Sequence, residues 1–200
     1  LKSYSLTGIN QKIVDLQVLY VEVDSFIYYN SSQVANVKDF KSKIFTSLTS
    51  FAKSSDLNRF GGRFKYSKVL NVIDNIDKSI TSNITRVKIR RNLNALINQF
   101  AQYELCFGNR FNVKPEGLNI KSTGFRIQGQ SDTVFITDTP NADKLTGVIS
   151  IVKRDETTGT NIVVVKSAGT VDYVHGEVNL TTINIVSTDK PNNIVEVQAF

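Results

Sequence analysis

His175 is the only histidine in the 200 residues, and Asp172 lies three positions before it. A nucleophilic relay built on this pair would need a hydroxyl for the imidazole to activate and the carboxylate to orient the ring. No serine is marked out for that role, and the flanking Tyr173, Val174 and Gly176 read instead as the tip of a hairpin. One histidine cannot build a multi-histidine metal site, and the scattered carboxylates form no D-x-D-x-D calcium loop. Asp74 and Asp77 could be offered as paired carboxylates for acid/base or magnesium chemistry, but their place in Ile73-Asp-Asn-Ile-Asp77, just before Ser79, suits residues that cap a turn. Cys106 sits between Leu105 and Phe107 and has no second cysteine to pair with, so it reads as a small apolar strand residue in a reducing compartment. Gly61-Gly62-Arg63 could cradle a phosphate if it opened a helix. It lacks the P-loop and dinucleotide glycine patterns, and reads as a turn that needs positive φ. No catalytic pair, metal site or cofactor site emerges.

The stretch from Arg59 to Lys68 carries more. Arg59, Arg63, Lys65 and Lys68 alternate with Phe60, Phe64 and Tyr66. Bases stack on such aromatics while cations track phosphates in single-strand-binding platforms. Aromatics and arginine are equally the residues enriched at protein interface hot spots. Composition leaves the two readings open. A second basic feature follows in Ile84 to Arg91, where strand alternation sends Val87 and Ile89 to one side and Arg86, Lys88 and Arg90 to the other.

Elements must position these groups. Residues Ile13 to Tyr29 are rich in β-branched and aromatic side chains and predict one long strand, with a bulge or bend where the apolar parity changes between Tyr20 and Val21. Val37, Phe40, Ile44, Leu48 and Phe51 follow helical spacing, Asn36 suits the N-cap, and the helix is expected to end near Ala52. A shorter helix is expected from Ser67 to Asn75, burying Val69, Leu70, Ile73 and Ile76. Leu93 to Ala101 fits either a continuing helix or a loop. The remainder is dominated by Val, Ile and Thr with glycine punctuation and predicts nine short strands, with hairpin turns at Asp155 to Gly159 and His175-Gly176. The expected fold class is α+β: a small N-terminal sheet covered by two helices over residues 1–100, then a mostly antiparallel β domain, sandwich or partial barrel, over residues 101–200.

Composition sets bounds on all of this. Hydrophobic residues at 40% and charged residues at 21% are those of an ordinary globular chain with a real core. No run of about 18 apolar residues is present to span a membrane as a helix, and no leader is apparent. Methionine is absent throughout and the chain opens at Leu1, so we expect a piece of a longer protein. Residues 1–100 hold 15 Lys/Arg against 7 Asp/Glu, a balance of +8, out of a net +6 for the whole. Such asymmetry suits a nucleic-acid surface or complementary assembly faces.

The run from Gly61 through Phe64-Lys-Tyr-Ser-Lys68, Ile73-Asp-Asn75 and Asp77-Lys-Ser-Ile-Thr-Ser-Asn83 into the basic strand ending at Arg91 resembles a segment of the baseplate wedge proteins of T-even-type contractile phages, a group related to the baseplate J-like family. Gly169-Thr-Val-Asp-Tyr-Val-His-Gly-Glu-Val-Asn-Leu180 is similar to a hairpin in the same proteins. The resemblance implies a structural virion protein without enzymatic activity or cofactor, located in the tail baseplate and assembled in the host cytoplasm. Its partners would be itself, as a dimer and then a ring of dimers, and other wedge proteins, with no small-molecule substrate and no membrane. Arg59, Phe60, Arg63, Phe64, Tyr66, Arg86, Lys88 and Arg90 are the expected protein-interface residues. A nucleic-acid-binding module that uses loop 59–68 and strand 84–91 is the alternative.

Overall fold

The computed structural model describes residues 18–59 and 61–199. Ten strands and two α-helices make two antiparallel sheets. The first sheet has the order β1-β2-β10-β4, and the second β3-β9-β5-β6-β7-β8. The strands are β1 (Tyr20–Tyr29), β2 (Ile80–Asn94), β3 (Phe100–Cys106), β4 (Ile120–Ser122), β5 (Phe125–Ile127), β6 (Val134–Pro140), β7 (Thr146–Arg154), β8 (Asn161–Asp172), β9 (Glu177–Thr188) and β10 (Ile194–Ala199). Because β8 also pairs with β9, strands β9, β5, β6, β7 and β8 close into a five-stranded barrel with β3 appended along β9. Closure removes the open edges that such a sheet would otherwise expose.

The chain begins its description with β1, which pairs with β2 in unbroken register from Tyr20↔Arg90 to Tyr28↔Ser82. The bulge expected between Tyr20 and Val21 is therefore not there. The register shifts at Tyr28/Tyr29 instead, where the Thr81 hydroxyl donates to the Tyr28 carbonyl. The expected start of this strand at Ile13 lies outside the described residues.

Helix α1 (Val37–Ala52) starts where the capping signal places it. Asn36 Oδ1 accepts from the Lys38 N–H at 2.9 Å, and Asn36 Nδ2 donates to Asp39 at 2.8 Å. Helix α2 (Tyr66–Asp74) buries Val69 and Ile73. The expectation of two helices over the first sheet is met only in part. Helix α2 lies on β2, tied to it by the Tyr66 hydroxyl donating to the Thr85 carbonyl and by Asn83 donating to Asp74. Helix α1 packs on α2 and reaches the sheet through Phe40, the one buried residue it has, whose ring lies 4.8 Å from that of Tyr29. The rest of its apolar stripe is only partly covered: Val37 is exposed, and Ile44, Leu48 and Phe51 are half-buried.

Leu93 to Ala101 is neither helix nor simple loop. Leu93 and Asn94 finish β2, a turn with Asn98 at φ +57° follows, and Phe100 opens β3. Of the nine strands expected in the second half, Thr160–Lys166 and Gly169–Val174 fuse into β8, and Glu177–Leu180 and Thr182–Val186 fuse into β9. The polar and glycine interruptions that suggested turns are absorbed as register shifts against neighbouring strands. Strand β4 is not anticipated by the sequence pattern, whose expected strand from Thr123 to Ile127 covers β5 alone.

Two strands from beyond residue 100 complete the sheet that β1 and β2 begin. Strand β10 pairs with β2 from Ile194↔Asn94 to Ala199↔Ile89, and β4 pairs with β10. Val195, Val197 and Ala199 of β10 and Ile120 of β4 are fully buried in one core with Leu93, Phe125, Val134, Ile149 and Tyr173.

Candidate assembly interface

Strand β2 is the element on which the expected interface residues turn. Alternation along it places Asn83 and Thr85 toward α2 and Ile84, Arg86, Lys88 and Arg90 on the opposite, helix-free face. Each of these basic residues meets an acidic or aromatic partner across the ladder. Arg86 stands opposite Asp24, Lys88 opposite Glu22, and Arg90 opposite Tyr20. Arg90 is the most enclosed, with its side chain 15% exposed. Its guanidinium contacts Glu22 at 2.7 Å and Glu196 of β10 at 2.7 Å, donates to Asn92, and lies 4.2 Å over the Tyr20 ring. Gln198 donates to the second oxygen of Glu22. This face thus alternates acidic residues of β1 with basic residues of β2 across the ladder, and Arg90 staples three strands.

The loop residues lie elsewhere. Tyr66 opens α2 on the other side of β2, with its hydroxyl held by Thr85 and its ring 46% exposed. Arg59 and Arg63 are exposed, Phe64 is half-buried, and Phe60 lies outside the described residues. Gly61 has φ +70°, and Gly62 donates its N–H to the Arg59 carbonyl, so the glycine pair makes a turn rather than a helix start. Lys68 pairs with Asp56 at 2.7 Å and folds the loop onto α2. The structure therefore brings Arg86, Lys88 and Arg90 together on one face and leaves Arg59, Arg63 and Tyr66 on the helix side.

Three exposed residues were not singled out by sequence. Phe26, Tyr28 and Ile84 are 55%, 54% and 51% exposed on the same helix-free face as Arg86. Phe26 stands directly opposite Ile84 and Tyr28 opposite Ser82, and no described element packs over them. The available signal was the alternation Glu22, Asp24, Phe26, Tyr28, which puts two charges and two aromatics on one side of one strand.

The remaining candidates for chemistry resolve as structural devices. Asp172 caps the β8–β9 turn, accepting from the N–H groups of Val174 and His175 and meeting His175 Nδ1 at 2.8 Å. These bonds hold its carboxyl below the usual range, and in return the Asp172 hydrogen bond and charge raise the His175 pKa. The imidazole is exposed at the hairpin tip and, among the described residues, hydrogen-bonds to no hydroxyl. Asp77 accepts from the Ser79 N–H and pairs with Lys43 of α1 at 2.8 Å, which together hold its pKa at about 2. Cys106 is half-buried on β3, and burial followed by the adjacent Glu177 pushes its thiol pKa up.

The word Gly169-Thr-Val-Asp-Tyr-Val-His-Gly176 has a structural meaning of its own. Tyr173 is completely buried and donates to Asp138 Oδ2 at 2.6 Å. Asp138, itself 2% exposed, also accepts from Asn119 Nδ2 at 2.8 Å and from the Ile120 N–H at 2.7 Å. Burial, and then the Asp138 carboxylate, raise the Tyr173 hydroxyl pKa far above its ordinary value. The cluster locks the β8–β9 hairpin to β6 and to the start of β4. Gly176, at φ +69°, lets the turn press against Asn109, where a Cβ would collide with the Asn109 carbonyl.

Residues 17–92 match the family described as baseplate structural protein gp6, C-terminal domain III. The matched segment runs from the approach to β1 through both helices to Asn92 of β2, and so includes the β1 and β2 residues of the face just described but not Glu196 and Gln198 of β10. No curated protein matches the chain. Residues 17–92 are thus similar to the C-terminal domain III of the baseplate structural protein gp6, and this similarity supports a gp6-like baseplate wedge subunit.

Proposed function

We propose that the chain is a non-enzymatic assembly part of the tail baseplate, which associates with a second copy, then into a ring of such pairs, and contacts other wedge proteins. The observation that carries this reading is the match of residues 17–92 to a baseplate structural domain. The exposed Phe26, Tyr28 and Ile84 on that domain support it, because aromatic and aliphatic side chains left open beside charged ones are the make-up of an interface core and rim. Arg59, Phe60, Arg63, Phe64 and Tyr66 would form a second contact, toward a different neighbour, and Arg86, Lys88 and Arg90 would belong to the first. On this reading the 1–100 and 101–200 modules act as one body, since β10 and β4 bind them together, and assembly takes place in the host cytoplasm.

Equilibrium sedimentation of the purified chain from 1 to 100 µM, about the range in which a modest interface titrates, is the test. A reversible shift from monomer to dimer is expected. A strictly monomeric chain that also fails to bind the other wedge proteins in pull-down would overturn the reading.

A further inference from the structure

The helix-free face of the β1–β2 ribbon is patterned in rows. Phe26 lies beside Ile84, then Asp24 beside Arg86, then Glu22 beside Lys88. In both charged rows the acid is on β1 and the base on β2. A second copy laid on this face can be related to the first by a two-fold axis running either across the strands or along them. An axis across the strands places β1 over the partner's β1, so acid meets acid. An axis along the strands places β1 over the partner's β2, so acid meets base in both rows and Phe26 covers Ile84. We infer that this face is the self-association surface, that its occupant is a second copy of the chain, and that the two-fold axis runs along the strands.

The inference rests on the reading that the chain self-associates, and it adds the surface and the symmetry. Contacts across such an axis are isologous, so each charged row is used twice. Face-to-face sheets keep their strands within about 30° of one another, which holds the rows in register over the length of this ribbon. The exposed halves of Phe26, Tyr28 and Ile84 offer roughly 300 Å² of apolar surface per copy. A standard interface takes about 800 Å² from each partner, so the charged rows must lie inside the contact. Charge pattern therefore decides the axis, and apolar area alone does not.

The test uses the whole chain and two variants. Ile84→Lys changes a half-exposed side chain and is expected to keep the fold, checked by its thermal transition, while weakening dimerisation at least tenfold. The double reversal Asp24→Arg with Arg86→Asp keeps an opposite-charge pair within each copy. It is expected to dimerise with itself but to form mixed dimers with the parent at well below the statistical half, read by native mass spectrometry. Mixed dimers at or above the statistical half would overturn the axis, since an axis across the strands favours mixing. Unchanged dimerisation of Ile84→Lys would overturn the surface while leaving self-association standing. A parent chain that is monomeric throughout would instead remove the self-association reading, and this proposal with it.

Discussion

Asp138 is the residue on which most of the second half depends. It is a buried carboxylate that satisfies three donors from two segments: the Tyr173 hydroxyl, and the Asn119 amide with the adjacent Ile120 N–H. Replacing it with alanine leaves the Tyr173 hydroxyl and the Ile120 N–H buried without this acceptor, and leaves the Asn119 amide only its bond to the Lys114 carbonyl. Asp138→Ala is expected to cost about 3 kcal/mol or more in urea unfolding, and Tyr173→Phe, which removes a single donor, about 1 to 2 kcal/mol. Equal losses would mean that the network is not centred on the carboxylate. The sequence shows the word Thr170-Val-Asp-Tyr173 but not its purpose, because Asp138 lies 35 residues away on another strand. At the hairpin tip, the raised pKa of His175 means that its bond to Asp172 stabilises the turn fully below the ordinary histidine value of about 6.5. That contribution fades as pH rises through the raised folded value. NMR titration should place the His175 midpoint above that of a free histidine, and Asp172→Asn should bring it back. An unshifted midpoint in the parent would contradict the pairing.

Elements held by local signals were the legible ones. Asn36, Asp39 and the apolar spacing place the start of α1 to the residue and its end near Ala52, because a cap and a period are written within one turn. The long strands β8 and β9 were not legible as wholes. Their interruptions look like turns until a neighbouring strand is present to absorb them as register shifts. Glycine shows the same dependence. Gly169 sits where any Cβ would collide with the Asn179 carbonyl of β9, whereas Gly159 has φ +69° but open space around it. Gly169→Ala should split the β8–β9 seam that closes the barrel and cost roughly 3 kcal/mol. Gly159→Ala should cost about 1 kcal/mol through backbone strain alone. Chemical denaturation of the two variants separates these cases, and a reversed order would argue against a closed barrel. The interface was half legible. The basic alternation of Arg86, Lys88 and Arg90 was readable, but their acidic partners Asp24, Glu22 and Glu196 lie on other strands. Tyr66, which looked like their neighbour, belongs to the opposite side of β2.

Across the whole molecule, the chain closes on itself. Strand β10 returns from the end of the barrel to lie between β2 and β4, and its buried Val195, Val197 and Ala199 join the core shared by both sheets. The patterning changes near residue 100, but the hydrogen bonding does not divide there. Thermal unfolding of the chain should therefore show one cooperative transition reported alike by tyrosine fluorescence and far-UV circular dichroism. A chain lacking residues 191–200 should lose that transition, since it exposes the β2 and β4 edges and most of the shared core contacts of β10. Two independent transitions in the parent would count against a single body. A rigid body with one alternating-charge face suits a part that must meet its copies in a fixed orientation. The most direct test of that role is a density map of the tail baseplate from the virion that carries this chain, at a resolution that traces strands. The account predicts this two-sheet fold inside the baseplate, its copies meeting through the Phe26, Tyr28 and Ile84 face of β1 and β2. A baseplate map in which the fold is absent, or in which that face is turned to solvent in every copy, would contradict it.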